Sequence, residues 1–169
     1  MPATAATSDT EAGTVMVHGR AAGYAQEIAV GRHRLMGDEP LSAGGTDTGP
    51  NPYEFLLAAL GSCTSMTLAL FARRKGWPLE AVTVRLRRST INAVDCQECE
   101  TKEGPIDEIQ RDVELVGALS DEQRARLLEI ADKCPVHRTL TSELRIQSRL
   151  TRGGGYPFSR SAGGQALRG

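Results

Sequence analysis

Two cysteines carry the chemistry this sequence could do. Cys63 lies in "AALGSCTSMTLAL" (58–70), a run of small and apolar residues with no second cysteine close to it in sequence. Cys134 lies in "ADKCPVHRTL", where one helical pattern ends and another begins at "CPVH". Proline is favoured at the first helical position, so Cys134 is expected as the N-cap of the new helix. A thiol there faces unsatisfied N–H groups and the positive end of the helix dipole, surroundings that favour the thiolate. Lys133 and Arg138 add positive potential. The plainer alternative stands beside this one: an intracellular cysteine is often a small buried hydrophobe, and His137 reads first as a surface or hydrogen-bonding histidine. Two thiols far apart in sequence nevertheless suggest one reaction. A thiolate attacks the O–O bond of a peroxide and becomes a sulfenic acid, and a second thiol condenses with it to a disulfide. The attacking thiol needs an apolar pocket that admits the substrate, whereas the resolving thiol need only come within disulfide reach.

A rival constellation involves the other two of the four cysteines. Cys96 and Cys99 form Cys-x-x-Cys, and Cys134 and His137 form Cys-x-x-His. Together they have the donor types of a tetrahedral zinc site, although the 34 residues between the pairs exceed common zinc-ribbon spacing. Cys96 and Cys99 also read as a local dithiol or as plain loop residues. Asp95, Glu98 and Glu100 beside them oppose thiolate formation unless a cation is present. In "HRLMGDEP", His33 and Asp38 either line a pocket or cap a turn.

These residues need elements to position them. "TVMVHG" and "YAQEIAV" read as strands separated by "RAAG", and "RHRLMGD" as a third short strand completing a meander. "PLSAGGTDTGPNP" is rich in turn residues and reads as a loop. A long helix follows. Asn51 suits the N-cap and Pro52 the first helical position. Arg73, Arg74 and Lys75 fall in the last turn, and Gly76 and Pro78 end it. Its small residues Ala58, Ala59, Gly61, Ser62 and Ser65 allow close approach of another backbone. "AVTVRLRRSTI" alternates as a strand, "NAVDCQECETKEGP" is a polar loop, and "IDEIQRDVELVG" is a strand with weaker alternation. "LSDEQRARLLEIADKC" is an amphipathic helix in which Ser120 and Gln123 have capping-box spacing. A short helix from Pro135 and a last strand, "LRIQSRL", complete the order β-β-β-α-β-β-α-α-β, an α+β class with antiparallel sheet. One domain is expected over residues 14–150, with flexible tails at 1–13 and 151–169.

The totals exclude several functions. At 169 residues the chain can bury one real core. Aromatics make up 4%, too few for base-stacking platforms, and a net charge of −1 argues against a surface built to hold nucleic acid. Ser62, Thr64, Ser65 and Thr67 interrupt the long apolar stretch, so it is not read as a membrane span. The first thirteen residues lack the basic and apolar regions of a secretory signal, which points to the cytoplasm.

"GPNPYEFLLAALGSCTSMTL", followed about seventy residues later by "IADKCPVHRTL", resembles the family of osmotically inducible protein C (OsmC) and organic hydroperoxide resistance protein (Ohr). "WPLEAVTVRLRR" and "GALSDEQRARLLEIADKCPVH" add to the likeness, which covers roughly Tyr24 to Leu150. The wording "DEPLSAGGTDTGPNPYE" is closer to an OsmC-like branch than to the best-known peroxidases. The resemblance implies an intertwined homodimer with antiparallel sheets wrapped around long central helices. It implies peroxidase activity towards organic hydroperoxides without metal, haem or other cofactor, and re-reduction by a dithiol of the lipoyl type. Carried over by position, Cys63 is the peroxidatic cysteine and Cys134 the resolving one. The peroxidases place a glutamate directly after Asn-Pro, paired with an arginine near the thiol. Here that position is Tyr53, which with His33 is assigned to the pocket. Glu54 follows one residue later, about 180° around the helix from Cys63. Arg32 and Arg34 are the candidate arginines, with Arg34 and Glu54 taken as the supporting pair. A non-enzymatic relative binding a small apolar ligand or zinc at the dimer cleft is the alternative.

Overall fold

The structure is a computed structural model that describes residues 13–151. The expected tails beyond those bounds lie outside the described residues. Three short strands, β1 (Val15–Gly19), β2 (Gln26–Val30) and β3 (His33–Gly37), form an antiparallel meander in the order β1-β2-β3. The helix α1 (Pro52–Lys75) follows, then β4 (Leu79–Asn92) and β5 (Pro105–Gly117), a long antiparallel ribbon in which Leu86 faces Arg111. The helices α2 (Asp121–Ala131) and α3 (Pro135–Leu140) are the last elements among the described residues. The α+β reading holds, and the bounds of α1 match the expected ones to the residue.

Local chemistry explains where α1 begins and ends. The Asn51 side chain accepts from the Glu54 N–H at 3.0 Å, and the Glu54 carboxylate accepts from the Asn51 N–H at 2.8 Å. This reciprocal capping box satisfies two of the N–H groups a helix start leaves unpaired. At the other end Gly76 adopts φ 65°, a left-handed conformation that needs no Cβ, and three basic residues face the negative end of the dipole.

The loop ahead of α1 is tied down by one carboxylate. Asp38 is buried and accepts from the N–H and hydroxyl of Thr46, the N–H and hydroxyl of Thr48, and the N–H of Glu39. Both sequence readings, turn cap and pocket wall, hold for Asp38: it ties the turn, and it lines a small pocket with Ile28, Pro50 and Phe55. The Thr46 hydroxyl is the largest influence holding the Asp38 carboxyl far below the ordinary carboxylate range, with the Glu39 and Thr48 bonds acting in the same direction. A depressed folded-state value contributes stability at any pH above the unfolded value and loses it as pH falls through the folded one. Asp38→Asn is therefore expected to lower the melting temperature near neutral pH. It should also flatten the loss of stability that the wild type shows at pH values below the usual carboxylate range. Thermal melts across acid pH check both.

The core sits where α1 meets α2 and the ribbon. Leu68, Ala72, Leu119, Leu127, Ile130 and Ala131 are buried together, with Phe71, Trp77, Leu79, Val82, Val113 and Leu115 packed around them. Gly61 lets the ribbon come close: a Cβ there would lie 2.8 Å from Leu86 Cδ1. Leu127 is fully buried. Leu127→Ala should cost about 2–5 kcal/mol through lost transfer energy and an unfilled cavity, a shift read directly from urea denaturation.

One expectation on α1 is met and one on the last strand is not. By length and composition α1 could cross a membrane. In the fold its buried stripe of Leu60, Gly61, Thr64, Leu68 and Ala72 packs on β4, α2 and α3 of its own chain. The last expected strand, 144–150, pairs with nothing among the described residues. Its alternate apolar residues are open, with Ile146 81% and Leu150 101% exposed. A strand needs a neighbour to take its ladder hydrogen bonds, and this segment is paired with no described strand.

Candidate functional site: the cleft between helix α1 and the ribbon

Cys134 is where the sequence placed it. It is the N-cap of α3, Pro135 is the first helical residue, and the His137 N–H donates to Cys134 Sγ at 3.3 Å. The side chain is completely buried. Its other neighbour is Thr64, whose hydroxyl oxygen lies 3.6 Å from the sulfur. Thr64 is the residue after Cys63 on α1, so the fold brings the Cys134 thiol to the turn of α1 that carries the other free thiol.

Helix geometry fixes how the two are disposed. Leu60 lies between Cys63 and Thr64 in projection, about 60° from the first and about 40° from the second. Leu60 lines a cleft of about 450 Å³ together with Asp107, Ile109, Arg111, Asp132 and His137, with Leu140 and Thr141 at one end. Cys63, half-buried, thus flanks one side of the cleft's Leu60 wall, and the Thr64–Cys134 pair flanks the other.

The cleft's floor is organised by Arg111. Its guanidinium donates to the Thr64 hydroxyl at 3.2 Å, to the Ala131 carbonyl at 3.2 Å and to the Asp132 carboxylate at 2.5 Å. Its side chain is only 12% exposed. One rigid fork therefore ties α1, the end of α2 and the residues leading to Cys134 into a single arrangement, which the point charge of a lysine could not do. The Thr64 hydroxyl also donates to the Leu60 carbonyl at 2.8 Å. With Arg111 donating to the same oxygen, the Thr64 proton has two destinations, the Leu60 carbonyl or Cys134 Sγ. A neutral Cys134 thiol can donate to Thr64, and a thiolate can receive the Thr64 proton, so the hydroxyl accommodates both states.

The outer rim is aromatic and charged. The Arg88 guanidinium stacks 3.8 Å from the centre of the Tyr53 ring, and it also donates to Asp107 at 2.7 Å. Tyr53 lies seven residues before Leu60, within about 20° of it on the helix, so it stands over the same face.

The supporting residues chosen from sequence are placed differently. Glu54 closes the capping box of α1, so its carboxylate is held at the helix start instead of reaching along it. Arg34 donates to the carbonyls of Gly31 and His33 at 2.9 Å each, holding the β2–β3 turn, and His33 is exposed at the start of β3. Neither Arg34 nor His33 lines the cleft. Cys96 and Cys99 are bonded to each other as a disulfide, with Cα atoms 5.5 Å apart, beyond the end of the ribbon. That pairing takes both sulfurs out of the four-ligand zinc set, and no group of three His, Cys, Asp or Glu among the described residues is placed to hold a metal ion. Arg111, Thr64 and Arg88 went unnoticed as site residues. The signal for Arg111 was present: by period two it shares a face of β5 with Asp107, Ile109, Val113 and Leu115, a charge set among three apolar residues.

The family model described as OsmC-like protein matches residues 45–149. No curated protein matches the chain. Among solved structures, an OsmC-like protein from Mycoplasma pneumoniae is 18% identical, with a TM-score of 0.59 over 75% of this chain and 85% of that one. An organic hydroperoxide resistance protein OsmC from Legionella pneumophila is 19% identical, with a TM-score of 0.55 over 76% and 88%. The organic hydroperoxide resistance protein OhrB of Bacillus subtilis is 20% identical, with a TM-score of 0.52 over 76% and 89%. At these identities the structures share the fold, and the match over more than half of the chain carries the assignment: the chain belongs to the OsmC-like protein family.

Proposed function

We propose that the chain is a thiol-dependent peroxidase that reduces organic hydroperoxides. The observation that carries this reading is the placement of buried Cys134 against Thr64, next to Cys63, although the two thiols are 71 positions apart in sequence. The names of the Legionella and Bacillus relatives support it. In the first step the Cys63 thiolate attacks the O–O bond. An alcohol leaves with a proton, and Cys63 becomes a sulfenic acid. Cys134 then attacks that sulfur, water leaves, and a Cys63–Cys134 disulfide remains. A dithiol of the lipoyl type returns both thiols by exchange and departs as its own disulfide. No cofactor enters any step. Thr64 and Arg111 hold Cys134 in position, and Leu60, Ile109 and Leu140 supply the apolar walls for an organic substrate.

The working unit in this reading is a homodimer. The face of α1 that the single chain leaves open carries Ala59, Ser62, Met66, Ala69 and Leu70, small enough for a second helix to approach and apolar enough to require cover. A second copy would also supply an edge for the unpaired 144–150 segment. A continuous supply of dithiol assigns the reaction to a reducing compartment, the cytoplasm. The test is consumption of cumene hydroperoxide by the purified chain with dihydrolipoamide as reductant. The reading expects turnover proportional to protein and dependent on dithiol. A rate equal to the protein-free background would replace it with that of a binding protein of the same fold.

A further inference from the structure

The function just proposed leaves one pair of sulfurs unused. Cys96 and Cys99 lie in the loop that joins β4 to β5, closed at its base by the Ala93 N–H donating to the Gly104 carbonyl at 2.8 Å. Both residues are half-buried, so their sulfurs are within reach of a small reagent. They are also remote from Arg111, which touches the Thr64 hydroxyl beside Cys134. Leu86 faces Arg111 at the cleft and Asn92 faces Pro105 at the ribbon's end, six residues further along. At 3.3 Å per residue the loop begins about 20 Å away. Within one chain, then, Cys96–Cys99 cannot exchange directly with either Cys63 or Cys134.

A bridge between residues three apart closes a small loop, so it removes little entropy from the unfolded chain and adds little to stability. The surroundings are charged: Asp95, Glu98, Glu100 and Glu103 are exposed around the pair, against one lysine, Lys102, whose ammonium donates to the Cys99 carbonyl at 2.6 Å. We propose that Cys96–Cys99 is a second, independent two-electron thiol–disulfide centre, which exchanges with an uncharged dithiol at the tip of the ribbon. A thiolate of the dithiol attacks one sulfur of the bridge and the other sulfur leaves as a thiolate. The second thiol of the reagent then displaces the first cysteine. Two electrons and two protons pass to the protein, and the reagent becomes a cyclic disulfide. The four carboxylates disfavour an anionic thiol such as glutathione relative to neutral dithiothreitol, by an interaction that salt screens.

The centre does not depend on the peroxidase reading, and one experiment separates them. Trypsin places Cys96 and Cys99 together in the peptide 89–102, apart from Cys63 in 35–73 and Cys134 in 134–138. The full-length wild-type chain is equilibrated against mixtures of reduced and oxidised dithiothreitol, alkylated under native conditions and mapped. The expected result is a single transition of peptide 89–102 between bridged and doubly alkylated, its reduced-to-bridged ratio following the dithiol-to-disulfide ratio to the first power. Reduction by dithiothreitol should also outpace that by glutathione more at low salt than at high. A bridge intact at every ratio would show an inert staple. Thiols free at every ratio, or joined to peptide 35–73 or 134–138, would equally overturn the proposal. A salt-independent preference would overturn its choice of partner. The state of the other two peptides reports on Cys63 and Cys134 separately.

Discussion

Cys63→Ser is expected to bring dithiol-dependent hydroperoxide consumption down to the uncatalysed rate, a loss on the order of 10³-fold or more. A serine hydroxyl is not ionised near neutral pH and does not attack an O–O bond. Cys134→Ser should behave differently. Serine is a favoured N-cap and can accept the His137 N–H as the thiol does, so the junction between α2 and α3 should survive. This variant should consume one equivalent of hydroperoxide to form the Cys63 sulfenic acid and, with hydroperoxide in excess, a second to carry it to the sulfinic acid, and then stall, because nothing condenses with the sulfenic acid. Single-turnover peroxide consumption and intact mass distinguish the two. Full activity in Cys63→Ser would remove the nucleophile from the account. Full cycling in Cys134→Ser, with no sulfinic acid, would remove the resolving thiol.

The second large effect is expected at Arg111. Arg111→Met keeps the length and apolar stem of the side chain but loses all three bonds, to Thr64, Ala131 and Asp132. Hydrogen bonds to a charged group contribute about 1.5–3 kcal/mol each. The Asp132 carboxylate is 63% exposed and gains water when released, so the net loss of stability should stay near the low end, about 1–3 kcal/mol. The kinetic consequence is more specific. Arg111 acts through Cys134 as a positioning residue, so the variant should form its Cys63 sulfenic acid at the wild-type rate but resolve it at least about tenfold more slowly, the cost of roughly 1.4 kcal/mol in orientation. Trapping the sulfenic acid with dimedone reads that lifetime. A destabilised variant with a wild-type lifetime would make Arg111 merely structural. Arg111→Lys should recover only part of the effect, since one ammonium cannot hold three acceptors in the fork's geometry.

How much of this was legible in the sequence depends on whether the signal was local. Asn51, Pro52 and Gly76 bounded α1, and Cys134 before Pro135 was read correctly as an N-cap, because caps are set by a few adjacent residues. The reciprocal bond from Glu54 is equally local, an Asn-x-x-Glu pattern that commits the glutamate to the helix start and not to the thiol. The cleft was less legible because its parts come from α1, β5 and the α2–α3 junction. Thr64 reads in sequence as a polar interruption of an apolar run. Only the fold sets it against Cys134 and Arg111. Arg34 was chosen for its position ahead of α1, yet the β2–β3 turn has its own unpaired carbonyls, and the nearest guanidinium serves them. The segment 144–150 has a strand's alternation without a strand's partner, which pattern alone cannot supply.

The central claim is that Cys63 and Cys134 form one redox pair, and disulfide mapping after a single equivalent of cumene hydroperoxide tests it most directly. The wild-type chain is quenched at short times, alkylated and digested. The account predicts rapid appearance of peptide 35–73 joined to peptide 134–138, and its absence in Cys63→Ser. Both peptides recovered fully alkylated, with the hydroperoxide unconsumed, would contradict it and leave Cys63 as packing in a helix.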